Sequence, residues 1–216
     1  MKFKEISFPG EDIDYIFVDE KQLKQLTFSL GKKVLNSGDK PDRMVALSKG
    51  GWTVARYLYG YLQPIGLKET ATIGIGLYDG INDKSKSGPR IYQRLNQELE
   101  AELQGETVLV ADDLTDSGEQ LIFVKEYLES LGVARVIMVA LFKKPTSEAN
   151  IDHWAETTSA WIIFAYEAFE TMEELDDKWR AKQIKDEEIK RRFGEIGFDQ
   201  EDIDFYWQHR RELTAK

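Results

Sequence analysis

Cysteine is absent from this 216-residue chain, which excludes disulfides and thiolate metal sites. Its absence agrees with a reducing compartment, so a cytoplasmic location is expected. Histidine occurs only as His153 and His209. Neither lies near the acidic motif described below, and no nucleophilic or proton-transfer role is assigned to them. No apolar run is long enough to cross a bilayer. The stretch Met1 to Ile6 lacks the apolar core of a signal peptide, so no membrane partner is expected. Excess positive charge is missing as well: 29 Lys and Arg face 39 Asp and Glu, for a net charge of −10. Coating a nucleic acid needs clustered cations, so nucleic acid is not expected as a partner. An acidic chain can still hold a small anion at one local site, on backbone amides, a few cations or a metal. Nor is there a Gly-x-x-x-x-Gly-Lys-Ser/Thr motif, which excludes a nucleoside-triphosphate P-loop.

What is present suits one α/β domain with a sizeable core: 42% of residues are hydrophobic and 31% charged. Asp19 is placed to cap a helix carrying Leu23, Leu26, Leu30 and Val34 at helical spacing. Arg43 to Ser48 reads as a buried strand, followed by Gly50-Gly51 and a helix from about Trp52 to Leu62. Ala71 to Tyr78 is a second strand. Asp79 to Pro89, rich in Gly, Ser, Asn, Asp and Lys, reads as a long mobile loop. A short strand near Ile91-Tyr92 precedes a polar helix. Val108 to Ala111 is strand, then comes a turn, then a helix from about Gly118 to Leu131 that stops at Gly132. Ala134 to Phe142 and Trp161 to Phe164 are further strands. This alternation predicts an open, mostly parallel, doubly wound sheet. From about Glu170 charge becomes dense and apolar positions sparse. Residues 1–169 are expected to form the main domain and 170–216 a charged helical extension, with Lys185 to Arg192 as a solvated helix face.

In a parallel sheet, ligands bind beyond the carboxyl ends of the strands. Four segments converge there: Ser48 to Gly51, the Tyr78-to-Pro89 loop, Asp112 to Gln120, and Lys143-Lys144-Pro145. Asp112 and Asp113 end an apolar strand. Adjacent buried carboxylates are costly unless a cation or hydroxyl donors meet them, and vicinal ribose hydroxyls would. The following turn, Thr115 to Gln120, opens a helix. Unpaired amides and the positive end of the helix dipole suit a phosphate there. Together they would fit a ribose phosphate.

These residues carry a family resemblance. Val108 to Leu121 resembles the phosphoribosyl-diphosphate (PRPP) signature of type I phosphoribosyltransferases: apolar residues, an acidic pair, two variable residues, then Asp-Ser-Gly. Leu47 to Gly51 is similar to the pyrophosphate loop of the 6-oxopurine branch. Lys144-Pro145 and Trp161 to Glu167 resemble purine-site segments of the xanthine-guanine, hypoxanthine-guanine and archaeal purine enzymes. The resemblance covers about Met44 to Glu167 and leaves the tail unaccounted for.

The resemblance implies Mg²⁺-dependent transfer of phosphoribosyl from PRPP to hypoxanthine, guanine or xanthine, in purine salvage, by a dimer or tetramer. It implies ribose binding by Asp112 and Asp113, with Asp113 helping to hold Mg²⁺. The 5′-phosphate would sit on Thr115, Asp116, Ser117, Gly118, Glu119 and Gln120, and pyrophosphate on Ser48, Lys49, Gly50, Gly51 and Arg90. The Ser48–Lys49 peptide corresponds to one that is often cis. Lys49 would offset leaving-group charge. Asp116 is either the proton acceptor near purine N7 or a helix N-terminal acid favoured by the dipole. Lys144, with Lys143 as the alternative, would donate to the 6-oxo group, Trp161 would stack on the purine, and Ile162 would offer main-chain groups to it. The 79–89 loop would close over the reaction. Two departures stand out. Gln120 replaces the family's usual Thr or Ser, and Ala165-Tyr166 replaces a frequent Pro-Trp. The alternative is a regulator with this fold that binds PRPP or a nucleotide without turnover. A receiver-type phospho-acceptor domain is excluded, because its acidic pair follows the first strand.

Overall fold

The computed structural model describes residues 2–76 and 88–213. The chain forms two compact units, one of residues 24–158 and one of residues 1–23 with 159–216. This boundary differs from the expected division into 1–169 and 170–216.

The larger unit is built on a six-stranded sheet. In chain order its strands are β3 (Arg43–Ser48), β4 (Ala71–Gly76), β5 (Arg90–Gln93), β6 (Thr107–Thr115), β7 (Arg135–Lys143) and β8 (His153–Thr157). Their spatial order is β5-β4-β3-β6-β7-β8. Every pairing is parallel except β4 with β5. Helix α1 (Glu20–Ser37) precedes β3, and α2 (Gly50–Leu62), α3 (Gln97–Glu102) and α4 (Glu119–Ser130) connect strands of this sheet. Val45, Leu47, Val108 and Val110 pack with Leu121, Val124 and Leu128 of α4. The alternate residues Met44, Ala46, Leu109 and Ala111 are also buried, on the face where α2 lies. Both faces of the central strands are thus covered, as a doubly wound sheet requires. Each Val, Leu or Met among them, fully buried, contributes roughly 1.5–3 kcal/mol. Asp19 caps α1 as its position suggests: its carboxylate accepts from Gln22 N at 2.7 Å, and Gln22 Oε1 accepts from Asp19 N at 3.0 Å.

The smaller unit holds a three-stranded sheet in the order β1-β2-β9, from β1 (Ile6–Ser7), β2 (Asp14–Val18) and β9 (Trp161–Phe164). Three helices complete it: α5 (Ala168–Ala181), α6 (Asp186–Ile196) and α7 (Gln200–Leu213). The sequence assigns the strand at 161–164 to the large sheet; instead it pairs in parallel with β2. Sparse apolar positions suffice in the tail because they converge. Leu175, Trp179, Ile189, Phe193 and Tyr206 share one buried cluster with Phe8 and Tyr15. Trp179 meets Phe8 and Tyr15 edge-on, at ring separations of 5.6 and 6.5 Å.

The run Lys185 to Arg192 is only partly a solvated face. Arg192 is buried, with its guanidinium 4.9 Å from the Phe8 ring and 5.2 Å from Trp179. No helix among the described residues is long and apolar enough to cross a membrane.

Candidate active site

The carboxyl ends of β3, β6 and β7 bring most of the candidate residues of the larger unit together. β6 does not end at the acidic pair. It continues to Thr115, because β7 pairs with it as far as Thr115 opposite Lys143. Asp112 is 7% exposed and Asp113 half-buried. Burial first, and the Asp113 charge second, push the Asp112 carboxyl well above the ordinary carboxylate range. One Asp112 oxygen accepts from the Asp113 amide at 3.0 Å.

Ser48 closes β3, and the Ser48–Lys49 peptide is cis. α2 starts two residues earlier than its apolar pattern suggests, at Gly50. The two glycines are thus its first residues, with helix N-terminal amides that have no partner within the helix. A side chain at Gly50 would collide with the Asp113 carboxylate, and one at Gly51 with the Ala111 carbonyl oxygen. Glycine here lets α2 begin directly against the strand carrying the acidic pair. Arg90, at the start of β5, is exposed.

After β6 the chain turns through Asp116 and Ser117 to Gly118, which caps α4 at φ +88°. A Cβ on Gly118 would lie 2.5 Å from Ala149 N, so this position needs glycine twice over, for its backbone angle and for the close approach. The turn is braced by the segment after β7. Thr115 Oγ1 and Ser147 Oγ share a 2.8 Å hydrogen bond, Glu148 N donates to Ser117 O at 2.9 Å, and Lys144 N donates to Thr115 O at 2.9 Å. Thr146 Oγ1 donates to Asp116 O at 3.4 Å. Thr146, Ser147 and Glu148 were invisible as site residues, because nothing in their local pattern shows that they face the other turn. Glu119 and Gln120 lie half-buried in the first turn of α4.

The choice between Lys143 and Lys144 is now structural. Lys143 sends its ammonium over the Trp154 ring, 5.0 Å from the centroid. Lys144 is 9% exposed; burial pushes its ammonium down, and the charge of the exposed Asp116 works in the opposite sense. Trp161 and Ile162 belong to the smaller unit. There Ile162 is buried and Trp161 packs, partly buried, against that unit's core. The loop expected to close over the site lies, through residue 87, outside the described residues.

Among the described residues, no group of three or more His, Asp or Glu side chains could hold a metal alone. The donor set does fit Mg²⁺ shared with a substrate. Mg²⁺ commonly takes one or two carboxylates and completes its shell with phosphate oxygens and water. The Asp113 carboxylate, set against the α2 N-terminus, is such a donor.

A crystal structure of a purine phosphoribosyltransferase from Pyrococcus horikoshii is similar, at 25% identity and TM-score 0.60, over 70% of this chain and 93% of that one. A hypothetical protein from Neisseria gonorrhoeae, solved with bound ppGpp, aligns at 23% identity and TM-score 0.61, over 73% of this chain and 91% of its own. The xanthine-guanine-hypoxanthine phosphoribosyltransferase of Helicobacter pylori aligns at 20% identity and TM-score 0.56, over 72% and 93%. The last two speak to the fold alone. The phosphoribosyl transferase domain model matches residues 17–171, which include every candidate residue above. Most of α5, all of α6 and all of α7 lie beyond it. With that match spanning more than half of the sequence, the chain belongs to the phosphoribosyl transferase domain family.

Proposed function

We propose that this phosphoribosyltransferase carries out Mg²⁺-dependent transfer from PRPP to a 6-oxopurine base (hypoxanthine, guanine or xanthine), releasing pyrophosphate and a purine nucleoside monophosphate in purine salvage. The observation that carries the proposal is the seating of Gly50 against the Asp113 carboxylate, which puts a glycine helix start beside the acidic pair. An anion on the α2 amides and a ribose on Asp112 and Asp113 are then neighbours, as pyrophosphate and ribose are in PRPP.

Each residue then has a task. The amides from Thr115 to Gln120, at the positive end of α4, hold the 5′-phosphate. Asp112 and Asp113 accept hydrogen bonds from the ribose hydroxyls. The amides of Gly50 and Gly51 and the Lys49 ammonium hold the pyrophosphate. Asp113, together with substrate oxygens, would hold Mg²⁺, which would supply neutralising charge to the leaving group. As the C1′–O bond to pyrophosphate breaks, positive charge grows at C1′. Purine N9 forms the new bond, and Asp116 accepts the proton the base gives up. Lys144 donates to the 6-oxo oxygen. An ammonium can only donate, so an exocyclic amino group at that position is disfavoured.

A panel of purine and pyrimidine bases, incubated with the purified chain, Mg²⁺ and PRPP, tests this. Nucleoside monophosphate and pyrophosphate should appear in equal amounts with at least one 6-oxopurine. PRPP bound without product from any base would overturn transfer. The chain would then be a regulator that holds PRPP or a nucleotide, the reading to which Gln120 lends weight by replacing a phosphate-binding hydroxyl.

A further inference from the structure

The pairing of β4 with β5 contains an irregularity. Gly74 faces Gln93 and Ile75 faces Ile91, so Tyr92 has no opposite residue in the ladder. An extra residue of this kind re-aims its side chain. The Tyr92 ring is laid back over Gly74, where a Cβ would come within 2.9 Å of the ring's Cδ2 and closer still to Cε2. On its other side Gly74 is paired with Ser48 of β3. The ring therefore crosses the full width of β4, and its hydroxyl meets Ser48 Oγ at 2.7 Å.

Packing does not account for this placement, because Tyr92 stays 58% exposed. A bulge and a glycine are both needed for the ring to lie where it does. What they achieve together is a hydroxyl contact to the residue that opens the Ser48-to-Gly51 segment.

We propose that Tyr92 is a positioning residue for the leaving-group loop. Through Ser48 it fixes the segment whose Lys49 ammonium and Gly50 and Gly51 amides receive the pyrophosphate of PRPP. This rests on the phosphoribosyl-transfer reading above. Tyr92 touches no reacting atom. Its effect falls on affinity for the pyrophosphate group, in PRPP and in the free product alike, and leaves the base untouched.

The test uses the full chain and its Tyr92→Phe, Ser48→Ala and double variants. Tyr92→Phe keeps the ring over Gly74 and removes only the hydroxyl. Titration calorimetry with inorganic pyrophosphate and Mg²⁺ should show a roughly three- to ten-fold weaker Kd for Tyr92→Phe, the size of one neutral hydrogen bond. KM for PRPP should rise by a similar factor, with KM for the base unchanged. The double variant should lose no more than Ser48→Ala alone, since the two hydroxyls act as a unit. Unchanged pyrophosphate affinity in Tyr92→Phe, additive losses in the double variant, or an equal loss of base affinity each overturns the inference. In those cases a wild-type chain that binds pyrophosphate and turns over PRPP leaves the transferase reading standing. A wild-type chain that binds neither pyrophosphate nor PRPP brings down both.

Discussion

Asp112→Asn should stabilise the ligand-free protein while damaging its site. The Asp112 carboxyl is buried beside Asp113, and both effects raise its proton affinity. Between ~3.9, where the unfolded carboxyl titrates, and the raised folded value, the folded chain therefore holds a proton that the unfolded chain has released. Stability from this group is fullest below that value and falls as pH climbs toward the raised folded value. At pH 7 the fold carries a cost that a neutral amide does not. Asparagine keeps an oxygen to accept from the Asp113 amide, now 3.0 Å from Asp112 Oδ1. Relieving a poorly compensated buried polar group is worth about 1–3 kcal/mol in mutational data. For a chain of this size that corresponds to a Tm increase of roughly 2–12 °C. Scanning calorimetry without ligand at pH 7 and near pH 4 measures it. The gain should be present at pH 7 and shrink toward pH 4, where the wild-type carboxyl is protonated in the folded state. PRPP affinity should fall roughly tenfold or more, as when a hydrogen bond to a charged group is lost. A variant less stable than wild type at pH 7, or a gain equally large near pH 4, would refute the reasoning.

Three other substitutions probe separate parts. Asp116→Asn should lower kcat by about 10²–10⁴ and weaken PRPP binding much less, because a proton acceptor acts in the transition state; an equal or larger loss of PRPP binding would remove the base role. Gly118→Ala should cost about 1–3 kcal/mol from the left-handed backbone alone. It should also push the turn off Ala149, so urea titration and PRPP Kd should worsen together. Trp179→Ala, which empties the centre of the aromatic cluster of the smaller unit, should cost about 3–5 kcal/mol in chemical denaturation.

Elements that bury both faces were readable without coordinates. Val108 to Ala111 and Val136 to Phe142 are unbroken apolar runs, and the large sheet places them side by side in its interior. β8 was not readable: His153 to Thr157 lies at the sheet edge, half-buried, without the alternation that marks a strand. β1 and β2 were also missed, since a two-residue and a five-residue strand at the start of a chain leave too short a pattern. Arg192 was misjudged because its partners, Phe8 and Trp179, are distant in sequence. A charge run announces solvent only when nothing aromatic folds back onto it.

The candidate site divides in the same way. The acidic pair, the glycine pair and Gly118 are determined by local sequence, since each is a residue type forced by a turn, a close approach or a charge at a strand end. That Lys144 is buried while Lys143 lies over the Trp154 ring was decided by strand register and tertiary packing. That Ser147 braces Thr115, and that Tyr92 reaches Ser48 across Gly74, was decided by the tertiary structure alone. The sequence by itself carries the short-range conditions of the proposed ribose-phosphate site. The bracing contacts join residues 32 and 44 positions apart, and only the folded sheet, with its bulge beneath Tyr92, brings such atoms within hydrogen-bonding distance.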